Sequence, residues 1–213
     1  MSWTKTPELV GQHVRLEPLA VSHGDALRAA VVDGELWRHW YTSVPRPEAV
    51  EAYVDAALAM QAAGDALAFA VSNAAGRVVG TTRFYQLAPA TPRLQIGYTW
   101  YAASVQRTGV NTEAKLLLLA HAFEQLGCIS VGFETSGYNF ASRAAIVRLG
   151  ARQDGVMRSH MRHADGSIRD TVAFSIIDSE WLAVKRHLQA RLALHDGRDH
   201  CAGGHSGRGH ADG

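Results

Sequence analysis

Between Leu67 and Trp100 three strand-like runs follow one another with connections too short to hold a helix. They are Leu67–Ser72, Val78–Tyr85 and Leu94–Trp100, and Asn73-Ala74-Ala75-Gly76 makes the first turn. A parallel pair needs a crossover of a dozen or more residues, so these strands must run antiparallel. Further on the pattern changes. A helix-like run from Thr112 to Leu126, closed by Gly127, leads to the strand-like Ile129–Thr135. A second, Asn139–Leu149, closed by Gly150, leads to Met157–Arg162 and Arg169–Ile177, joined by an Asp165-Gly166 turn. Crossovers of that kind add a parallel part to the sheet. Upstream lie a strand at Val14–Pro18 and a helix through Ala30 that starts at Ser22-His23-Gly24-Asp25. Val50, Tyr53, Val54, Ala57 and Leu58 then recur at helical spacing until Gly64. Asp178-Ser179-Glu180 opens a last helix with Trp181, Val184 and Leu188 on one face. The order implies an α+β fold, a three-layer α/β sandwich whose mixed, mostly antiparallel sheet is flanked by helices.

At 213 residues and 47% hydrophobic composition the chain can bury the core of one such domain, placed at residues 9–192. Its 21 basic and 20 acidic side chains leave a net charge of +1, which argues against a general nucleic-acid binder. No apolar run is long enough for a secretory signal or a membrane span, so neither membrane nor export is expected and the cytoplasm is. Cys128 reads as a buried thiol and Cys201 as a free one. Residues 193–213 have almost nothing apolar to bury and are expected to form a flexible Gly/His-rich tail. Its histidines, His195, His200, His205 and His210, suit either a weak metal tract or a solvated end, and no metal is required by the expected chemistry.

The stretch that carries chemistry is Leu94–Ala114, a strand running into a loop with Gly109 and then into a helix N-terminus. Free N–H groups and the helix dipole make such a start suited to phosphate. The Walker loop and the dinucleotide fingerprint are both absent. Gln106-Arg107-Thr108-Gly109-Val110-Asn111 resembles the acetyl-CoA loop of the GCN5-related N-acetyltransferase (GNAT) superfamily, Arg/Gln-x-x-Gly-x-Gly/Ala. Asn139-Phe140-Ala141-Ser142 with Leu149-Gly150-Ala151 resembles that family's next helix. Val14–Leu19, His23 and the Asp165–Thr171 segment are similar to its Rim-type (RimJ/RimL-like) branch of ribosomal-protein N-terminal acetyltransferases. Two positions depart from the pattern. Arg107 stands where the branch usually has glycine, and Asn111 replaces a small residue, softened by asparagine's tolerance of left-handed backbone.

The resemblance implies the GNAT fold and acetyl-CoA as cosubstrate. It implies direct attack of a neutral primary amine on the thioester, the amine belonging to a protein N-terminus or a small molecule. A non-catalytic acyl-CoA-binding or interaction module on the same fold is the alternative, and a homodimer is a family expectation. It places the cofactor on Trp100, Tyr101, Gln106, Arg107, Thr108, Gly109, Val110, Asn111, Thr112, Asn139 and Ser142. Ile146 occupies the place of the family's tyrosine donor, so Ser142 is the candidate to serve the departing sulfur. Met161 stands where the branch has a glutamate base. His160, expected on the other side of that strand, and Glu134 are the candidate bases, with a water relay as the third option. An α-amino group is roughly a tenth neutral at pH 7 and a lysine far less, a difference near 3.5 kcal/mol, so a weak base suits an N-terminal amine. Trp37, Trp40 and Tyr41 cluster after Asp33-Gly34-Glu35. This cluster, with Trp37 and Tyr41 as the candidate acceptor-site aromatics, could line the acceptor site, with core packing as the competing role.

Overall fold

The protein is described here by a computed structural model covering residues 3–202. The strands are β1 (Leu9–Val10), β2 (Val14–Pro18), β3 (Ala66–Asn73), β4 (Val78–Ala88), β5 (Arg93–Tyr101), β6 (Ser130–Ser136), β7 (Arg152–Arg162) and β8 (Ile168–Ile177). The helices are α1 (Gly24–Val32), α2 (Val50–Ala62), α3 (Gly109–Ala120), α4 (Phe140–Leu149) and α5 (Asp178–Ala202). One eight-stranded sheet runs β1-β2-β3-β4-β5-β6-β8-β7. As the short connections require, β3, β4 and β5 are antiparallel neighbours. The parallel part is a single pair, β5 with β6. After α4 the chain does not lie beside β6. β8 takes that place and β7 forms the edge.

Side chains alternate between the two faces of each strand. Thr81 meets Tyr53 of α2, while Phe84 packs on Phe69 and on His121 just beyond α3. One face therefore carries α1 and α2 and the other α3, α4 and α5. Phe69, Phe84, Leu118, Leu119, Ile176 and Leu188 are fully buried at the centre of the second layer. Cys128 is buried, which pushes its thiol up to about 11.

Several boundaries differ from the sequence reading. α3 starts at Gly109 rather than Thr112 and ends at Ala120, where one π-helical turn, His121–Gln125, follows. β7 starts at Arg152 rather than Met157, because an exposed polar edge strand leaves little hydrophobic alternation to read. α5 runs past residue 192 to Ala202. The remainder of the expected tail, with His205 and His210, lies outside the described residues. No helix among the described residues is long and apolar enough to cross a membrane.

α3 is fixed to the sheet edge by a buried carboxylate. Glu113 accepts from the backbone N–H groups of Gln12, His13 and Val14 at 2.9, 2.6 and 2.9 Å. Gly11 is required there, since a Cβ would overlap the Glu113 carboxylate. Glu113→Ala strands three N–H donors and should lower stability by about 3 kcal/mol or more, read from the denaturant midpoint. A loss below about 1 kcal/mol would contradict this account of how the helix is anchored.

Candidate active site

β5 and β6 are paired only at Arg93–Ser130, Leu94–Val131 and Gln95–Gly132. Beyond Gln95 they part. A bulge turns β5 away: Gly97 opposes Arg83 and Trp100 opposes Thr81, so Tyr98 and Thr99 face Thr82 alone. Tyr98 takes the left-handed conformation at φ 52°. Its carbonyl accepts from the Tyr53 hydroxyl at 3.2 Å. The gap lies between the carboxyl ends of two parallel strands, the place where open sheets receive ligands. The loop after β5 leads to α3 and the loop after β6 leads to α4, so both helix N-termini lie at this end.

Thr108 is the N-cap of α3. Its Oγ1 accepts from Val110 N at 3.3 Å and donates to the Val105 carbonyl at 2.6 Å. Gln106 ties the loop back by donating to the Tyr101 carbonyl at 3.0 Å. Gly109 is buried against His13, whose Cδ2 would be 2.9 Å from any Cβ at that position. Val110 is also buried. Arg107, Thr108, Asn111 and Thr112 line a cavity of about 260 Å³ completed by Ala145, Arg148 and Leu149 of α4 and by Arg191 and His195 of α5. Arg148, Arg191 and His195 had no signal in the sequence, because only the packing of three distant helices brings them together.

The two departures of the loop resolve differently from expectation. Arg107 sits at φ 63°, so this is where the loop needs left-handed backbone. Asn111 lies inside α3, in right-handed helix, and its tolerance of left-handed backbone is not used. A non-glycine residue in that region costs roughly 1–2 kcal/mol.

Trp100 and Tyr101 are core residues, 5% and 7% exposed, so their side chains do not face the gap as free surfaces. Burial pushes the Tyr101 hydroxyl up, and it and Trp100 Nε1 have no hydrogen-bond partner among the described residues. Asn139 caps α4, its Oδ1 accepting from Ser142 N at 3.0 Å. Ser142 is half-buried in the first turn of α4.

Glu134 stands on the opposite face of the sheet, where Gln95 Nε2 reaches it at 3.4 Å. Tyr85 and Arg169 are its electrostatic neighbours. Burial first, then Glu134, raises the Tyr85 hydroxyl above its ordinary range, while burial lowers Arg169 against the opposing pull of Glu134. His160 was expected to turn away from Met161's side of the strand, and a bulge overturns that. Met157 opposes Thr171 and Met161 opposes Arg169, so Arg158, Ser159 and His160 face Asp170 alone. Ser159 is left-handed at φ 50°. His160 Nδ1 thereby comes to 3.2 Å from Thr171 Oγ1. Thr171 pairs with Ser136 as Ala173 pairs with Glu134, so the imidazole joins the Glu134 face.

Trp37 packs against the core. Tyr41 stacks on His39 at 5.4 Å. The aromatic side chain that reaches across is Trp40, 4.8 Å from the His163 ring and 5.2 Å from Tyr138. It joins the loop after α1 to the β6–α4 loop and to the residue that begins the β7–β8 turn.

Lys115 of α3 is 6% exposed, and its ammonium donates to Thr99 Oγ1 at 2.9 Å. Thr99 is hydrogen-bonded to Thr82 at 2.8 Å, so the amine is fixed to the bulge itself. Burial lowers this lysine to about 7.

The sequence profile of the family described as "Acetyltransferase (GNAT) domain" matches residues 13–152, and the chain belongs to that family. A crystal structure of a GCN5-related N-acetyltransferase from Brucella melitensis is 34% identical with a TM-score of 0.78, covering 88% of this chain and 86% of that one. The Bacillus subtilis (strain 168) protein named "Putative ribosomal N-acetyltransferase YdaF" is 29% identical over 106 residues, 50% of this chain and 57% of its own length. The chain thus spans about half the length of that curated relative. Mycobacterium smegmatis RimJ, solved in complex with CoA-disulfide, is 21% identical with a TM-score of 0.71, covering 87% of this chain and 92% of that one, and shares the fold.

Two outcomes follow from the strained and buried residues. Arg107→Gly should raise stability by up to about 1 kcal/mol in thermal unfolding, and a clear loss would contradict strain at that position. In Lys115→Met the titration is removed. The folded amine is neutral above about 7 while the unfolded one keeps its proton to 10.5, so wild-type stability gains about 1.4 kcal/mol per pH unit between those values. The variant's advantage should therefore shrink as pH rises above 7, and a pH-independent difference would contradict the depressed value.

Proposed function

We propose that the chain is a Rim-type N-acetyltransferase that moves an acetyl group from acetyl-CoA to a primary amine by direct attack on the thioester. The observation that carries this reading is the gap between β5 and β6, with an arginine-lined cavity on one face of the sheet and Glu134 with His160 on the other. The residues fit the cosubstrate. The α3 first turn offers outward N–H groups and the cavity offers three guanidinium groups to phosphate. Gln106 to Thr112 would hold the diphosphate, and the backbone of Trp100 and Tyr101, with Asn139, the pantetheine arm. The thioester would then stand in the gap, open to an amine from the other side. The catalytic domain is read as residues 9–192, with His195 and Asp196 of α5 lying against it.

Glu134 and His160 would take the amine's proton, and Ser142 would donate to the departing sulfur. Trp40 and Tyr41, with Trp37 behind them, would border the acceptor. A protein N-terminus is favoured over a lysine side chain. Its amine is partly neutral near pH 7, and the name of YdaF, a ribosomal N-acetyltransferase, supports a protein acceptor.

Thiol release from acetyl-CoA should be measured with short peptides bearing a free N-terminus and with N-terminally blocked lysine peptides. Turnover is expected with the first and little with the second. Ser142→Ala should lower turnover well beyond threefold, since a general acid contributes about 10²–10⁴. A change of less than about threefold removes Ser142 from the mechanism. One-to-one CoA binding without thiol release to any amine would favour the non-catalytic module.

A further inference from the structure

The basic groups around the cavity at the start of α3 come from three separate elements: Arg107 from the loop, Arg148 from α4, and Arg191 with His195 from α5. None of the three arginines has an ion-pair partner among the described residues. Elsewhere Arg28, Arg38 and Arg152 close on carboxylates at 2.7 to 2.9 Å. On α5 the carboxylate next to the cavity, Asp196, turns to His13, its Oδ1 lying 2.8 Å from the ring Nε2. Three fixed like charges around one small cavity repel one another, and an entering anion of more than one charge offsets that repulsion. Arginine forks also match phosphate oxygens in geometry.

The nucleotide end of CoA carries two anionic groups, a diphosphate and a separate 3′-phosphate monoester. The N–H groups of the α3 start suit the first. We propose that Arg148 and Arg191 bind the second, so that α5 reads the 3′-phosphate and selects CoA over its dephosphorylated form. This inference rests on the cosubstrate reading above. It adds a role for a helix that lies beyond residues 13–152, the part matched by the family profile.

The test is calorimetric titration of CoA and of dephospho-CoA into the full chain, the Arg148→Met and Arg191→Met variants and an Arg191→Lys variant. Thermal melts establish that each variant is folded. Wild type should bind CoA at least about tenfold more tightly than dephospho-CoA, a preference worth about 1.4 kcal/mol. Each methionine variant should lose most of that preference by weakening CoA alone, and Arg191→Lys should keep part of it. Equal affinity of wild type for the two ligands, or parallel weakening of both in the variants, overturns the role of α5 while leaving the cosubstrate reading intact. Binding of neither ligand overturns the cosubstrate reading itself.

Discussion

β5 and β6 hold each other only from Arg93 to Gln95 and from Ser130 to Gly132, and beyond that each belongs to a different neighbour. β6 stays with β8 along its whole length, from Ser130 opposite Ile177 to Ser136 opposite Thr171. β5 stays with β4, and its bulge at Tyr98 bends it further that way. The gap is thus the outcome of two stronger commitments rather than of missing structure. It connects the two faces of the sheet, and the residues with chemical potential divide between them. Phosphate-binding groups gather on the α3, α4 and α5 face. Glu134, Tyr85, Arg169 and His160 gather on the face of α1 and α2.

α3 joins these regions, and two buried ionisable groups fix it. Glu113 holds its first turns to the β1–β2 connection through three backbone N–H groups. Two residues on, Lys115 ties the opposite side of the helix to Thr99 in the bulge. Neither group faces an opposite charge within ion-pair distance among the described residues. An apolar residue at 115 would be more stable at neutral pH, because burying an amine carries a desolvation cost. The helix start that would meet phosphate and the strand that would meet the thioester are in this way one mechanical unit. Arg107 adds a second local cost in the same place, left-handed backbone at the lip of the cavity. Proteins commonly keep such costs where a site needs a fixed geometry.

Hydrophobic alternation and glycine stops were enough to find the central strands and to order the helices, since those features are local. The loop at Gln106–Asn111 was also legible, because a strand, a glycine and a helix start leave few alternatives. What escaped was set by register and by packing. His160 changes faces in a bulge of two extra residues around the left-handed Ser159, which no period-two pattern encodes. Arg148, Arg191 and His195 meet across α4 and α5, separated by more than forty residues at the extremes. The need for left-handed backbone fell on Arg107 instead of Asn111, since α3 begins one turn earlier than the apolar spacing implied. The aromatic cluster Trp37, Trp40 and Tyr41 was legible, but which member bridges to Tyr138 and His163 was not: loop geometry makes it Trp40.

The central claim is that the β5–β6 gap and the start of α3 form one binding site for acetyl-CoA. Hydrogen exchange of backbone amides with and without CoA tests it without altering a residue. The account predicts added protection in residues 96–112 and 139–142, with little change in β1, α1 or the β3–β4 turn. Protection confined to other segments, or none under saturating CoA, would contradict it.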